Sequence, residues 1–339
     1  MRTLLQHSIE RLLADAVTPD VLRAAETGVW AADLWAKIED LGLPLAAVPE
    51  EHGGTGATWS DIFVVIRACG AATAPAPLPE AILANSLLAA AGLQPPESGP
   101  IVFARGQADT PLAGVPWGRH AQWLALHDVR AGRIALHTLA KAQIVPGSNV
   151  AGEPRDTITL APGSRVADAA TSAATDAVTL GGAMLRSAQM AGALGRLTEI
   201  STDYANERIQ FGRPIGKFQA VQQQLAVLAT QAAAAVAASE AAFLTAEPNT
   251  AFLTIASAKA VAGEAAGKGA GIAHAVFGAI GFTHEHSLHF LTRRLWAWRA
   301  EYGSDAFWAE ALGRTLAARG DEGLWPLVTA AFAETKIDD

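Results

Sequence analysis

Residues Glu207 to Ala226 read ERIQFGRPIGKFQAVQQQLA. A charged helix end, Glu207-Arg208, is followed by Phe211-Gly212, and glycine supplies the positive φ with which helices end. Pro214 cannot continue a helix interior, because it lacks the N–H and its ring meets the preceding turn. From Phe218 a new amphipathic run begins through Val221, Leu225 and Leu228. The pattern predicts a helical hairpin with Arg208, Phe211 and Gln219 near its corner. An arginine fork beside an aromatic ring suits a cofactor that carries phosphate and a ring system. An ordinary hairpin with a surface arginine fits the same residues.

Working outward, three zones separate by pattern. Residues 1–95 predict an N-terminal helical domain, with apolar positions at three- and four-residue spacing in Trp30 to Leu41 and Trp59 to Cys69. Pro75, Pro77 and Pro79 break this zone before a further helix that runs through Ala91. Residues 96–176 predict a small β domain. Short runs at Ile101 to Ala104, Trp123 to His127, Ile134 to His137 and Thr157 to Leu160 are bounded by Gly, Pro, Asp or Asn. Residues 177–339 return to long helical runs, 181–207, 217–246 and 250–277, and predict a four-helix bundle with short connections. The fold class is therefore mainly α with a β insert.

Composition bounds the function. Of 339 residues, 50% are hydrophobic and 17% charged, which describes a packed globular chain. The net charge of −8 disfavours a nucleic-acid partner, which selects basic faces. Cys69 is the only cysteine, which excludes an intrachain disulfide and a cysteine zinc site. Its setting in FVVIRACGAA predicts a buried, inert thiol. The first fifteen residues alternate apolar and charged positions rather than forming a leader's apolar core. The Ala-rich runs hold Gln, Ser and Glu and read as bundle helices, not membrane spans. A cytoplasmic location with no membrane partner is expected.

The Glu207–Ala226 stretch resembles the signature hairpin of the acyl-CoA dehydrogenase family, ER-x-QFG-x-PI-x-x-FQ-x-x-Q-x-x-LA. LWAKIEDLGLPLAAVPEEHGGTGATWSDIFVVIRACG, Leu34 to Gly70, resembles the family's N-terminal helical segment. FGAIGFTHEHSLHFLTRR, Phe277 to Arg294, resembles its late GGxGFTxEHxLHxxxRR stretch. The resemblance implies the same helix–β–helix architecture and an FAD enzyme that removes the α and β hydrogens of an acyl-CoA thioester. In such enzymes a carboxylate takes the α proton, the flavin takes the β hydride, and a partner flavoprotein accepts the electrons. Each FAD is held between two subunits, by the β domain of one and the bundle of the other.

Residue by residue, the resemblance assigns Arg208 to the FAD pyrophosphate, Gln210 and Phe211 to neighbouring contacts, Phe218 and Gln219 to the next pair, and Gly278 to the first glycine of the GGxG turn. Ala275 stands where the family usually has a glutamine, and Ala279 where it has the second glycine. The flavin cradle, a TEPxAGSD segment and a WITN-like strand, has no match between Pro96 and Asp176. PLAGVPWGRHAQWLALHD there resembles the shortened β domain of smaller members. The usual catalytic glutamate aligns with Tyr302, and Glu301 is one residue early, which turns a helical residue by about 100°. An alternative family position for the base falls at about Gly182.

Half a cofactor site without an aligned base resembles the smaller chain of heterotetrameric, steroid-side-chain-type members (α2β2). A homologous larger subunit would then complete the site. A self-sufficient homo-oligomer using Glu301 as catalytic base, and a scaffold that has lost FAD, are the competing expectations. Small residues such as Gly182, Ala183 and Gly192 either make room for a bulky substrate or allow close helix packing. His284, Glu285, His286 and His289 invite a metal reading, but HEHSLH lacks the H-E-x-x-H spacing, and no metal is expected.

Overall fold

The computed structural model describes residues 1–171, 173, 176–246, 251–318 and 324–326. Five helices come first: α1 (Arg2–Ala16), α2 (Pro19–Glu26), α3 (Ala32–Asp40), α4 (Trp59–Ala71) and α5 (Leu78–Ala90). Local chemistry sets their ends. Thr58 and Asp61 form a reciprocal capping box on α4, and Thr18 caps α2 with Pro19 in its first turn. The buried face of α4, including Ile62, Phe63, Val65 and Ile66, packs on the bundle and anchors the largest apolar core. Cys69 lies inside it, and burial pushes its thiol up to about 12, which removes the reactive thiolate.

Seven strands follow: β1 (Ile101–Arg105), β2 (Leu112–Pro116), β3 (Trp123–Asp128), β4 (Arg133–Thr138), β5 (Gln143–Val145), β6 (Arg155–Thr159) and β7 (Arg165–Ala170). One sheet has the order β1-β3-β4-β7, with β1 parallel to β3 and the other pairs antiparallel. The second has the order β2-β6-β5 and is antiparallel throughout. Val102, Leu124, Leu126 and Ile158 fill the space between the sheets. The alternate residues Ile101, Phe103, Ala125 and Leu136 turn towards the helices, as the two-residue period of a strand requires.

The C-terminal helices are α6 (Ala177–Glu207), α7 (Gln219–Leu244), α8 (Ala251–Phe277), α9 (Leu288–Ala300) and α10 (Asp305–Ala317). The expected start of α8 at 250 and the bundle's last residues, 327–339, lie outside the described residues. At Gly192 and Gly70 the small residue allows close helix approach. A Cβ on Gly192 would sit 1.9 Å from the Arg67 carbonyl oxygen, and one on Gly70 2.1 Å from that of Gln189, so α4 and α6 touch backbone to backbone. The segment between α6 and α7 differs from a plain helical corner. Ile209–Gln210 (β8) pairs with Arg213–Pro214 (β9), and Phe211 and Gly212 form the two-residue turn at φ 52° and 78°. Two consecutive positive φ values match the right-handed twist of a tight hairpin.

Among the described helices α7 alone is long and apolar enough to cross a membrane by length and composition, and 33% of its most apolar window is buried in the fold.

Candidate functional site

The hairpin between α6 and α7 carries the residues assigned to the cofactor. Arg208, Gln210, Phe211 and Gln219 are exposed, and Phe218 is half-buried. The Arg208 carbonyl accepts from Ile215 N at 2.8 Å, which fixes the base of the hairpin. Its guanidinium has no side-chain partner among the described residues. Arg213 stacks on the Phe218 ring at 4.3 Å, and Phe211 meets the same ring edge-on at 6.1 Å. Phe211 is 92% exposed while its backbone is left-handed. An aromatic residue pays strain for that conformation, and here it carries the ring out of the fold. Gly278 follows α8 at φ 63°, with no heavy atom within 4 Å of an added Cβ. Tyr204 of α6 stacks on Phe277 at 4.4 Å and so brings the Gly278 turn to the same end of the bundle as the hairpin. A free guanidinium, the exposed Phe211 ring and an open glycine turn thus lie at one end of the bundle, and groups of these kinds suit an anion joined to a flat ring system.

On the β-domain side Arg119 and His120 are already engaged. Arg119 forks onto Asp156, with contacts down to 2.6 Å, and its Nη2 also donates to the Gly147 carbonyl. His120 stacks on Trp30 of the N-terminal domain at 4.8 Å, and Trp117 lies 6.2 Å from the same ring. Burial and the neighbouring Arg119 hold the His120 imidazole below its ordinary pKa.

Tyr302 and Gly182, at or about which the resemblance places the family's base, meet in space. A Cβ on Gly182 would lie 2.4 Å from Tyr302 Cδ1, so the tyrosine ring fills the volume above the glycine. Neither residue is a carboxylate. Burial pushes the Tyr302 hydroxyl well above the ordinary range, which leaves a neutral phenol there.

Glu301 lies beside this pair, at the end of α9, in a buried ionic cluster. Arg155 grips both of its oxygens, through Nε at 2.7 Å and Nη2 at 2.9 Å. Arg186 Nε donates at 2.7 Å and Asn149 Nδ2 at 2.9 Å. Burial alone would raise this carboxyl, but Arg155 and Arg186 together hold it down to about 2. Such a carboxylate is a poor proton acceptor at neutral pH. Arg299 does not pair with it; that guanidinium forks onto Asp305 at 2.8 and 2.9 Å.

The cluster spans all three zones. Arg186 of α6 also reaches Glu80 of α5 at 2.7 Å. Glu153, in the loop before β6, takes Arg155 at 3.1 Å, Arg294 at 3.3 Å and Trp298 Nε1 at 3.0 Å. Three arginines thus balance three glutamates, which lets the group be buried at all. Beneath the Glu301 loop, Lys259 of α8 is fully buried and donates to the Arg299 and Gly303 carbonyls at 2.8 and 2.7 Å. Burial brings its ammonium down to about 7.

Sequence reading passed over Arg155, Arg186 and Lys259. The available signal was a lone charge in an otherwise uncharged run, as in GGAMLRSAQMAGALG around Arg186 and TIASAKAVAG around Lys259. The histidine segment holds itself together: His289 Nδ1 lies 2.7 Å from the His286 carbonyl, and His289 lies 3.9 Å from Glu26. Among the described residues no three His, Cys, Asp or Glu side chains converge as a metal site.

Residues 2–94 match the acyl-CoA dehydrogenase N-terminal domain, and residues 165–317 match the acyl-CoA dehydrogenase C-terminal domain. The acyl-CoA dehydrogenase IpdE2 of Mycobacterium tuberculosis is 30% identical over 308 residues, which cover 86% of this chain and 90% of that protein. In fold, the chain is similar to one in the ChsE4-ChsE5 complex of Mycobacterium tuberculosis, at a TM-score of 0.83 and 21% identity over 93% of this chain and 97% of that one. It is similar also to one in the Tcur3481-Tcur3483 steroid ACAD, at 0.82 and 22% over 94% and 98%.

Proposed function

The chain belongs to the acyl-CoA dehydrogenase family, and from that premise we propose that it is the smaller chain of a two-chain enzyme for a bulky, steroid-type acyl-CoA. Members of the family bind FAD, and the exposed hairpin and the open Gly278 turn fit its phosphate and adenine half. In this reading Arg208 meets the pyrophosphate as a charge-assisted fork. Phe211 and Phe218 offer ring faces, and the bare backbone at Gly278 allows close approach. Bound FAD would supply the acceptor for the substrate's β hydride. The chain's own residues orient and neutralise the cofactor, and the larger, homologous chain supplies the flavin cradle and the base. A separate flavoprotein takes the electrons, in the cytoplasm.

The observation that carries this reading is the Gly182–Tyr302 contact. The residues at or about the two positions that the resemblance gives the base come together there without a carboxylate, and the neighbouring Glu301 is held by two arginines. The pairwise make-up of the two structurally similar assemblies, one of them a steroid enzyme, supports the partner and the substrate class.

The test is a visible spectrum of the chain alone and after co-purification with a larger homologous chain. Flavin absorbance is expected in the complex only, bleached by an acyl-CoA, and Arg208→Ala should reduce the flavin content several-fold. Flavin and full turnover in the lone chain, abolished by Glu301→Gln, would overturn the reading in favour of a homomeric enzyme. Unchanged flavin content and turnover in an Arg208→Ala complex would favour a scaffold role.

A further inference from the structure

In a chain of net charge −8, the segment that joins α6 to α7 is locally basic. It holds Arg208, Arg213 and Lys217, and no Asp or Glu occurs from 208 to 239. All three side chains are exposed, and none has a carboxylate partner among the described residues. Clustered cations of this kind draw an anion.

The small ladder decides which of them act together. Gln210 pairs with Arg213, and Ile209 with Pro214. The Arg208 backbone is extended, at φ −72° and ψ 114°. The Ile215 N–H donates to its carbonyl at 2.8 Å, so the pairing continues by one step. Alternate residues of a strand share a face, and directly opposed residues share it too. Arg208, Gln210 and Arg213 therefore stand on one face of the hairpin, with Ile209 and Pro214 on the other. Arg208 and Arg213 are diagonal neighbours, about 7–8 Å apart, and two side chains of this length can meet a common ligand. Lys217 lies past the ladder, at the end of the turn Ile215–Lys217.

Arg213 is also held in place. Its guanidinium lies over the Phe218 ring at 4.3 Å, and Phe211 braces that ring edge-on at 6.1 Å. Stacking engages the face of a guanidinium and leaves the N–H groups along its edge for a planar fork. A side chain ordered beforehand loses less freedom when a ligand arrives. We infer, given the FAD reading of this hairpin, that Arg213 is a second phosphate-binding guanidinium. With Arg208 it clamps the two phosphates of a nucleoside diphosphate group, one to each fork. Gln210 offers an amide donor to the same group. Arg213 is thus the residue that makes this site choose a diphosphate over a monophosphate.

The test is titration of the flavin-free two-chain protein with FAD, followed by flavin fluorescence, and with ADP and AMP, followed by calorimetry. The parent should bind ADP about tenfold more tightly than AMP, the effect of one added charge-assisted fork. Arg213→Met keeps an apolar cover on Phe218 and removes the charge. It should weaken FAD and ADP about tenfold and leave AMP unchanged, and the deficit should shrink in high salt, which screens exposed charges. Arg213→Lys keeps the charge without the fork and should lie between. Lys217→Met removes an equal charge off the ladder and should change ADP binding about twofold or less. Parent-like FAD and ADP affinity in Arg213→Met would overturn the inference. So would an equal loss in Lys217→Met, because the cations would then act through their summed field alone. Arg208→Ala separates the two claims. If it weakens FAD while Arg213→Met does not, the cofactor reading stands and Arg213 only covers Phe218. If neither variant changes FAD binding, both claims fall.

Discussion

Gly182 and Tyr302 share one volume: the tyrosine ring lies where a Cβ on the glycine would be, 2.4 Å from Cδ1. Tyr302 adopts φ 54°, and Gly303 follows at φ 92°, so the loop after α9 turns sharply to deliver the ring. Arg186 lies 5.7 Å from the ring centroid and Phe103 of β1 5.9 Å, which leaves the ring little room to retreat. Gly182→Ala should therefore destabilise the protein by about 1–3 kcal/mol, the usual cost of overpacking a filled site. Tyr302→Ala should relieve most of that penalty. A double-mutant cycle read by urea unfolding would measure the coupling, and additive effects would mean that the two residues do not share the space.

The parts of this arrangement differ in how far the sequence disclosed them. The Arg208–Gln219 hairpin is local, and its Gly, Pro and aromatic spacing marks the break between two helices within a dozen residues. Its small β ladder was not visible, because two residues per strand carry no periodic signal. Strands β2, β5 and β7, LAGVP, QIV and RVADAA, also escaped. They lack an alternating apolar pattern and owe their conformation to the neighbours they pair with. The surroundings of Glu301 were illegible for another reason: Arg155 and Arg186 lie 146 and 115 positions away in the chain. A reading of nearby residues offers Arg299 as the partner, whereas the fold gives Arg299 to Asp305.

Glu301→Gln would leave Arg155 and Arg186 buried without their shared counter-charge. Removing one partner from a buried ion pair costs about 3–5 kcal/mol. The expected result is a loss of that size in urea-unfolding free energy. Catalytic turnover in a complex that still folds should change little. A Gln variant as stable as the parent would mean that the cluster contributes no net stability.

The same carboxylate sets an acid limit. Its folded pKa of about 2 lies below the ordinary 4.5, so the folded state binds its proton less readily than the unfolded state. The stabilisation is fully present above about pH 4.5 and disappears as pH falls through 2. For one group shifted this far it amounts to roughly 3 kcal/mol. Unfolding midpoints between pH 5 and pH 3 should fall more steeply in the parent than in Glu301→Gln. Parallel curves would show that other carboxylates, such as Glu153, which Arg155 and Arg294 also hold below its ordinary value, carry the acid sensitivity.

Lys259 predicts a second rise of stability with pH, in a higher window. Burial lowers its ammonium to about 7 from 10.5. Glu301 and Asp305 favour the charged form, and Arg186 and Arg299 oppose it. Between about pH 7 and the unfolded value the unfolded chain binds more protons than the folded one, so stability rises with pH. One proton allows a slope of up to about 1.4 kcal/mol per pH unit. The clean window ends near pH 9, because Cys69 then enters with the reverse sign: its folded thiol stays protonated to about 12 while the unfolded one titrates near 9. Chemical unfolding at pH 7, 8 and 9 should therefore show rising stability in the parent and a flat profile in Lys259→Met. That variant also removes the bonds to the Arg299 and Gly303 carbonyls, so its stability should be lower at every pH. The slope, not the level, reports the titration, and an equal slope in both proteins would place the proton elsewhere.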